Sequence, residues 1–170
     1  MKTVRYLLKV LFAFVLMMFV FSCRKDEEPE PQPVLKTFAE LTMDDIKANE
    51  PKMSTTSITV SDGNGIKWNS GDIILYKTQL GKYGKMEVTS IDAASNYKMK
   101  FKAVTYLYDG WNETIVNNGL EVRGTWYCDL DTPNLAETDN EQLADFKNER
   151  LTATDTKLVS MNGAKFYKYK

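Results

Sequence analysis

Tyr97-Lys98-Met99-Lys100-Phe101-Lys102-Ala103 alternates without a break. Successive side chains on an extended chain point to opposite faces, so Tyr97, Met99, Phe101 and Ala103 share one side and the three lysines share the other. One face in a core and one in water marks an antiparallel strand. From Val104 the alternation fails. Val104, Tyr106 and Tyr108 make the second face apolar as well, which predicts a bulge or a change of sheet. Working outward, Asp72–Lys77, Lys85–Ile91, Tyr97–Asp109 and Leu120–Cys128 read as strands, rich in β-branched and aromatic residues. Asp62-Gly63-Asn64-Gly65, Asn69-Ser70-Gly71-Asp72 and Asn117-Asn118-Gly119 read as turns. Gly81 and Gly84 bracket another, with Lys82 and Tyr83 at its tip. Lys157–Met161 and Lys165–Tyr169 flank Asn162-Gly163, the strongest short-range hairpin signal in the chain. Helix signals are sparse. Thr42 stands three residues before Asp45 within Phe38–Asn49, an echo of a capping box, and Leu135–Arg150 has room for one or two helical turns. The fold class predicted is mainly β: a small antiparallel β-sandwich or partly open β-barrel with few helical residues.

The amino-terminal residues have a different character. Lys2, Arg5 and Lys9 precede an apolar run from Val10 to Phe21 that ends at Ser22-Cys23. A basic start, an apolar middle and a small residue before the cut describe a secretory signal. Only 14 uncharged residues run from Val10 to Cys23, whereas a membrane-spanning helix needs roughly 20. Val20-Phe21-Ser22-Cys23 resembles the lipobox of bacterial lipoproteins, which implies cleavage before Cys23 and diacylglycerol and N-acyl chains on that cysteine. Each buried methylene favours insertion by about 0.8 kcal/mol, so several chains hold a protein firmly. Arg24-Lys25-Asp26-Glu27-Glu28 resembles the export signal of surface lipoproteins of Bacteroidetes, which implies the outer face of the outer membrane. Pro29-Glu30-Pro31-Gln32-Pro33 then favours an extended polyproline path. The organisation expected is a signal peptide over 1–22, a lipidated cysteine, acidic segment and stalk over 23–36, and one β-rich domain over 37–170.

Asp72–Thr78, Gly81–Lys85, Arg123-Gly124-Thr125-Trp126 and Asn162–Phe166 are together similar to segments of Bacteroidetes lipoproteins, a likeness that covers about 65 to 170. It brings no activity with it. Hairpin geometry explains the glycines in these phrases.

The full chain has 22 basic and 23 acidic residues, and three of the basic ones precede Cys23 with no acid among them, leaving 19 against 23. A net charge of −4 from Cys23 onward argues against nonspecific nucleic-acid binding. With Cys23 acylated, Cys128 has no disulfide partner. A core built from some 110 to 130 residues must hold the domain without one.

There is no histidine. The commonest general base is therefore missing, and nucleophilic triads built on it are excluded. Cys128 shares a strand face with Leu120, Val122 and Trp126, so its thiol is expected in the core as a small hydrophobe. Asp129 and Asp131 beside it are the wrong sign to activate a nucleophile. With Glu113 and Glu121, the same two aspartates are the acids a glycoside hydrolase would draw on, given the right facing separation. Asp129–Glu149 holds seven acids and one base, Lys147. Asp129, Asp131 and Asn134 would supply oxygen ligands to calcium, and Asp62 with Asn64 is a weaker set. The reading preferred for this run is a solvated acidic loop with no cofactor, because charge blocks usually stay in solvent.

Three tryptophans, nine tyrosines and eight phenylalanines make the chain aromatic-rich. Trp126 belongs to a strand face. Trp111 follows Asp109-Gly110 in a loop, and Tyr106 and Tyr108 lead into it. Rings at a loop tip form a platform for a sugar or a protein surface, or a lid on the core edge. The function expected is a lipid-anchored, surface-exposed, non-enzymatic module of the outer membrane, binding a glycan or protein partner through this platform. The alternatives are a carboxylate-based polysaccharide hydrolase and a structural subunit of an envelope or adhesin assembly.

Overall fold

Two stacked antiparallel sheets carry the chain. The computed structural model describes residues 34–56, 58–59, 69–107, 113–131, 133–150 and 156–170, and Leu35–Lys170 group as one unit. The signal peptide, Cys23, the stalk as far as Pro33, the Asp62–Gly65 turn, Tyr108 and Trp111 lie outside the described residues. The strands are β1 Ile58–Thr59, β2 Ile73–Lys77, β3 Tyr83–Asp92, β4 Lys98–Tyr106, β5 Thr114–Val122, β6 Tyr127–Asp129, β7 Ala136–Thr138, β8 Phe146–Arg150, β9 Thr156–Ser160 and β10 Lys165–Lys168. The first sheet runs β10-β2-β3-β4-β5 and the second β1-β9-β8-β6-β7. The mainly β class and the sandwich arrangement are as the alternation predicts.

The core lies between the sheets. Tyr97, Met99, Phe101 and Ala103 are all buried, while Lys98 and Lys100 are half-exposed and Lys102 is exposed, so the period of two holds through β4. Phe101, Phe146, Phe166 and Tyr76 meet at ring separations of 5.9 to 6.2 Å, tilted or edge-on as aromatic quadrupoles prefer.

A second, smaller core covers the outer face of the first sheet. Thr42 caps the helix α1 (Met43–Ala48): its hydroxyl accepts from Asp45 N, and the Asp45 carboxylate accepts from Thr42 N, the full reciprocal box. Leu41, Ile46 and Met53 then pack on Ile73 and Leu75, with Phe38, Tyr83, Tyr106, Tyr167 and Tyr169 around them. This is why β2 is apolar on both faces. It also resolves the failed alternation after Val104: β4 neither bends away nor changes sheet there, because Tyr106 meets a helix-covered face. Lys85 lies beneath the same segment, donating to Phe38 O and Leu41 O at 2.6 Å each. Burial pulls its pKa down.

Three expected boundaries move. Asn117-Asn118-Gly119 is a bulge inside β5 and not a turn: the register with β4 slips between Phe101–Leu120 and Ala103–Asn117, and Asn117 Oδ1 accepts from Gly119 N at 2.9 Å. Leu120–Cys128 is two strands in different sheets. The chain crosses over at Arg123–Trp126, where Gly124 N donates to Asn96 O and a side chain on Gly124 would lie 2.0 Å from that oxygen. Asn162-Gly163 does form a tight turn, with φ of 50° and 84° and Ala164 N donating to Met161 O. Yet β9 pairs with β1 and β8, whereas β10 pairs with β2. The turn reverses the chain, but burial of Ala164 and Phe166 between the sheets decides its partner.

Where β5 and β7 approach, the link is made by side chains instead of a ladder: Asn117 Nδ2 donates to Leu135 O and Arg123 N to Glu137 Oε2. The sheets therefore stay a sandwich and do not close into a barrel.

Candidate functional site

Asp129, Asp131 and Asp145 come together at one end of the sandwich. Each offers a carboxylate oxygen within 4.8 Å of the others. Asp129 ends β6, Asp131 follows it, and Asp145 stands just before β8, so pairing of β6 with β8 is what aligns them. Facing them is the β2–β3 turn. Thr78 N donates to Lys82 O and Gly81 N to Thr78 O, with Gly81 at φ 82°. The tip is Gln79-Leu80, and Leu80 is 70% exposed. Lys82 closes the turn, and Tyr83 already belongs to β3.

The turn is clamped to the acids. Thr78 Oγ1 donates to Asp131 Oδ1 at 2.7 Å, and Leu80 N to Asp131 Oδ2 at 3.2 Å. Gln79 N donates to Asp145 Oδ1 at 2.7 Å, and Leu130 N to Asp145 Oδ2 at the same distance. Asp129 Oδ1 accepts from Asp131 N. Lys82 Nζ donates to Asp131 O at 2.9 Å and lies 3.6 Å from Asp131 Oδ1. Behind them Thr105 Oγ1 donates to Leu130 O at 2.9 Å, and the Tyr76 hydroxyl lies 2.8 Å from Thr105 Oγ1 and donates to Val104 O at 3.1 Å. Burial raises the Tyr76 phenol.

Exposure decides what this cluster does. Asp129, Asp131 and Asp145 are 4%, 8% and 0% exposed. Asp129 and Asp131 are therefore buried, and the expected solvated loop does not hold for them. Burial, opposed by the Gln79 amide and reinforced by Asp131, pushes the Asp145 carboxyl up to about 7. A glycosidic oxygen cannot approach acids enclosed in this way. A hard cation entering among them would have to displace Lys82 Nζ and the N–H donors of Gln79, Leu80 and Leu130. Asn134, the third ligand proposed with Asp129 and Asp131, is exposed, and its carbonyl accepts from Asn117 Nδ2. What the arrangement performs chemically is a cross-sheet clamp.

The remaining candidates are dispersed. Cys128 is fully buried, and burial together with Asp145 and Asp129 raises its thiol well above the usual range. Tyr106 packs into the second core under α1. Trp126 packs half-buried on the main core with the Arg123 guanidinium 3.8 Å from its ring centre.

An open hollow of about 810 Å³ is lined by Asp139, Asn140, Glu141, Gln142 and Asn162. Its frame is fixed. Asn162 Nδ2 donates to Glu141 O and Ala144 O at 2.8 Å each, Asn140 Oδ1 accepts from Gln142 N, and Thr138 Oγ1 accepts from Asn140 N. Among the described residues, the side-chain ends of Asp139, Glu141 and Gln142 make no hydrogen bond or ion pair.

Sequence reasoning found neither Asp145 as the third acid nor the hollow. The only trace of either was the run of seven acids from Asp129 to Glu149. Comparison with protein families, curated proteins and solved structures finds no match to this chain.

Proposed function

We propose that the chain is a lipoprotein anchored in the bacterial outer membrane through acyl chains on Cys23, displaying a β-sandwich that binds a glycan or protein partner without converting it. Val20-Phe21-Ser22-Cys23 behind a basic and apolar leader is the observation that carries the anchor. Non-enzymatic binding is supported by the enclosed acids, whose oxygens accept hydrogen bonds that hold two sheets together. It is also supported by the absence of histidine, which removes the usual base.

The test is metabolic labelling with an alkyne-bearing fatty acid, followed by mass spectrometry of the mature amino terminus. Cells expressing the natural chain should yield acylated Cys23, and Cys23→Ser should abolish the label. Protease added to intact cells should then remove the domain. An unacylated Cys23, or a leader still attached, sinks the proposal.

A further inference from the structure

We infer that Lys82 and Asp131 condense into an internal amide bond, Nζ to Cγ, that joins the two sheets covalently. The bond is independent of acylation at Cys23.

Lys82 Nζ lies 3.6 Å from Asp131 Oδ1 and is steadied there by its hydrogen bond to Asp131 O. Two groups held side by side react as one molecule, which removes much of the entropy barrier of a bimolecular step. The carboxyl is arranged to receive a nucleophile. Thr78 Oγ1 and Leu80 N donate to its two oxygens, and fixed donors stabilise the oxyanion that forms when an amine adds. Asp145 supplies an acid. One of its carboxyl oxygens lies within 4.8 Å of one on Asp131, and burial keeps a proton on it up to about 7. A proton donor thus stands beside the departing oxygen near neutral pH. An ordinary surface ion pair has neither the fixed donors nor the acid.

The step balances without a co-reactant. The Lys82 ammonium passes one proton to the acid cluster, and the free amine adds to Asp131 Cγ, forming the N–C bond. Asp145 protonates one carboxyl oxygen. The nitrogen gives its second proton to that oxygen, and the C–O bond breaks to release water. One proton stays on Asp129 or Asp145, as at the start.

The product suits its surroundings. The side chains of Asp131 and Lys82 are 4% and 23% exposed, and a buried ion pair carries a desolvation cost that a neutral amide avoids. The bond ties the β2–β3 turn of one sheet to the end of β6 in the other. Closing the loop from 82 to 131 restricts the unfolded chain as a disulfide does, in a domain whose Cys128 is a free thiol.

The test is tryptic digestion of the denatured full lipoprotein, followed by tandem mass spectrometry. Amidated Lys82 resists trypsin, so residues 78–85 should appear joined to residues 124–147, lighter by one water than the two peptides apart. Fragment ions should place the branch at Asp131. Lys82→Arg should abolish the branched peptide, and Asp145→Asn should reduce it about tenfold or more, with circular dichroism showing that each variant is folded. Separate peptides 78–82 and 124–147 in full yield from the wild type would mean an ion pair only and overturn the inference. A branch at another acid, or an undiminished branch in either variant, overturns it as well. The wild-type digest decides even where a variant fails to fold.

Discussion

Gly84 lies directly against the ring of Tyr76, its cross-strand neighbour. A methyl group added at Gly84 would sit 2.2 Å from two ring carbons of Tyr76 and 2.5 Å from its hydroxyl oxygen. The ring cannot retreat, because its hydroxyl is tied to Thr105 and its face packs on Phe166. Gly84→Ala should therefore destabilise the domain by about 1–3 kcal/mol, the range for overpacking a tight core. Urea unfolding monitored by tryptophan fluorescence measures it. Wild-type stability in this variant would show that the ring is free to move.

Asp145 sets a pH dependence of unusual sign. Its carboxyl holds a proton up to about 7 in the fold, against 3.8 when exposed. Between those values the folded state binds more protons than the unfolded state. Its contribution to stability is present below about 4 and is lost as pH rises toward 7, a change on the order of 4 kcal/mol. Asp45 works the other way. Its carboxyl is pulled down to about 2, chiefly by Lys36, so its contribution holds above 3.8 and is lost as pH falls through 2. Urea midpoints collected from pH 4 to pH 7 should fall with rising pH, and Asp145→Asn should flatten that slope. A slope unchanged in the variant would assign the proton elsewhere.

Asn148 is fully buried on β8 and spans the gap between sheets, donating from one amide to Tyr97 O at 2.8 Å and Val122 O at 3.2 Å. Its own N–H reaches Trp126 O, and its carbonyl accepts from Thr125 N. Asn148→Leu keeps the volume and removes both bonds to buried carbonyls, at about 1–3 kcal/mol in all. Hydrogen exchange at Lys98, Gly124 and Thr125 should quicken with it, since those amides belong to the same corner. Loss of stability with unchanged exchange there would place the cost in packing.

Much of the sandwich was legible because burial of one sheet face writes itself into the sequence every second residue. Tyr97 to Ala103 shows this most clearly, and the Thr42–Asp45 cap was readable for a similarly local reason. What escaped was set by distant partners. Nothing near Asn162-Gly163 says that β10 joins β2, because the same turn serves a hairpin and a crossing equally well. Tyr106 could not be assigned to a core whose other half, Leu41 and Ile46, lies some sixty positions earlier. Asp145 looked like one more surface acid until β6 and β8 paired. Trp111 and Tyr108 remain as expectations from the sequence.

The segment that covers the outer face has a mechanical consequence. Tension applied through Leu35 first meets Lys36, whose backbone N–H bonds the Tyr169 hydroxyl and whose side chain pairs with Asp45. Beyond these lie, in chain order, the Lys85 bonds to Phe38 and Leu41 and the bridge from Ser54 to Phe166. Tension entering at Leu35 therefore meets this clip before it meets the aromatic interior between the sheets. The clip is a fuse.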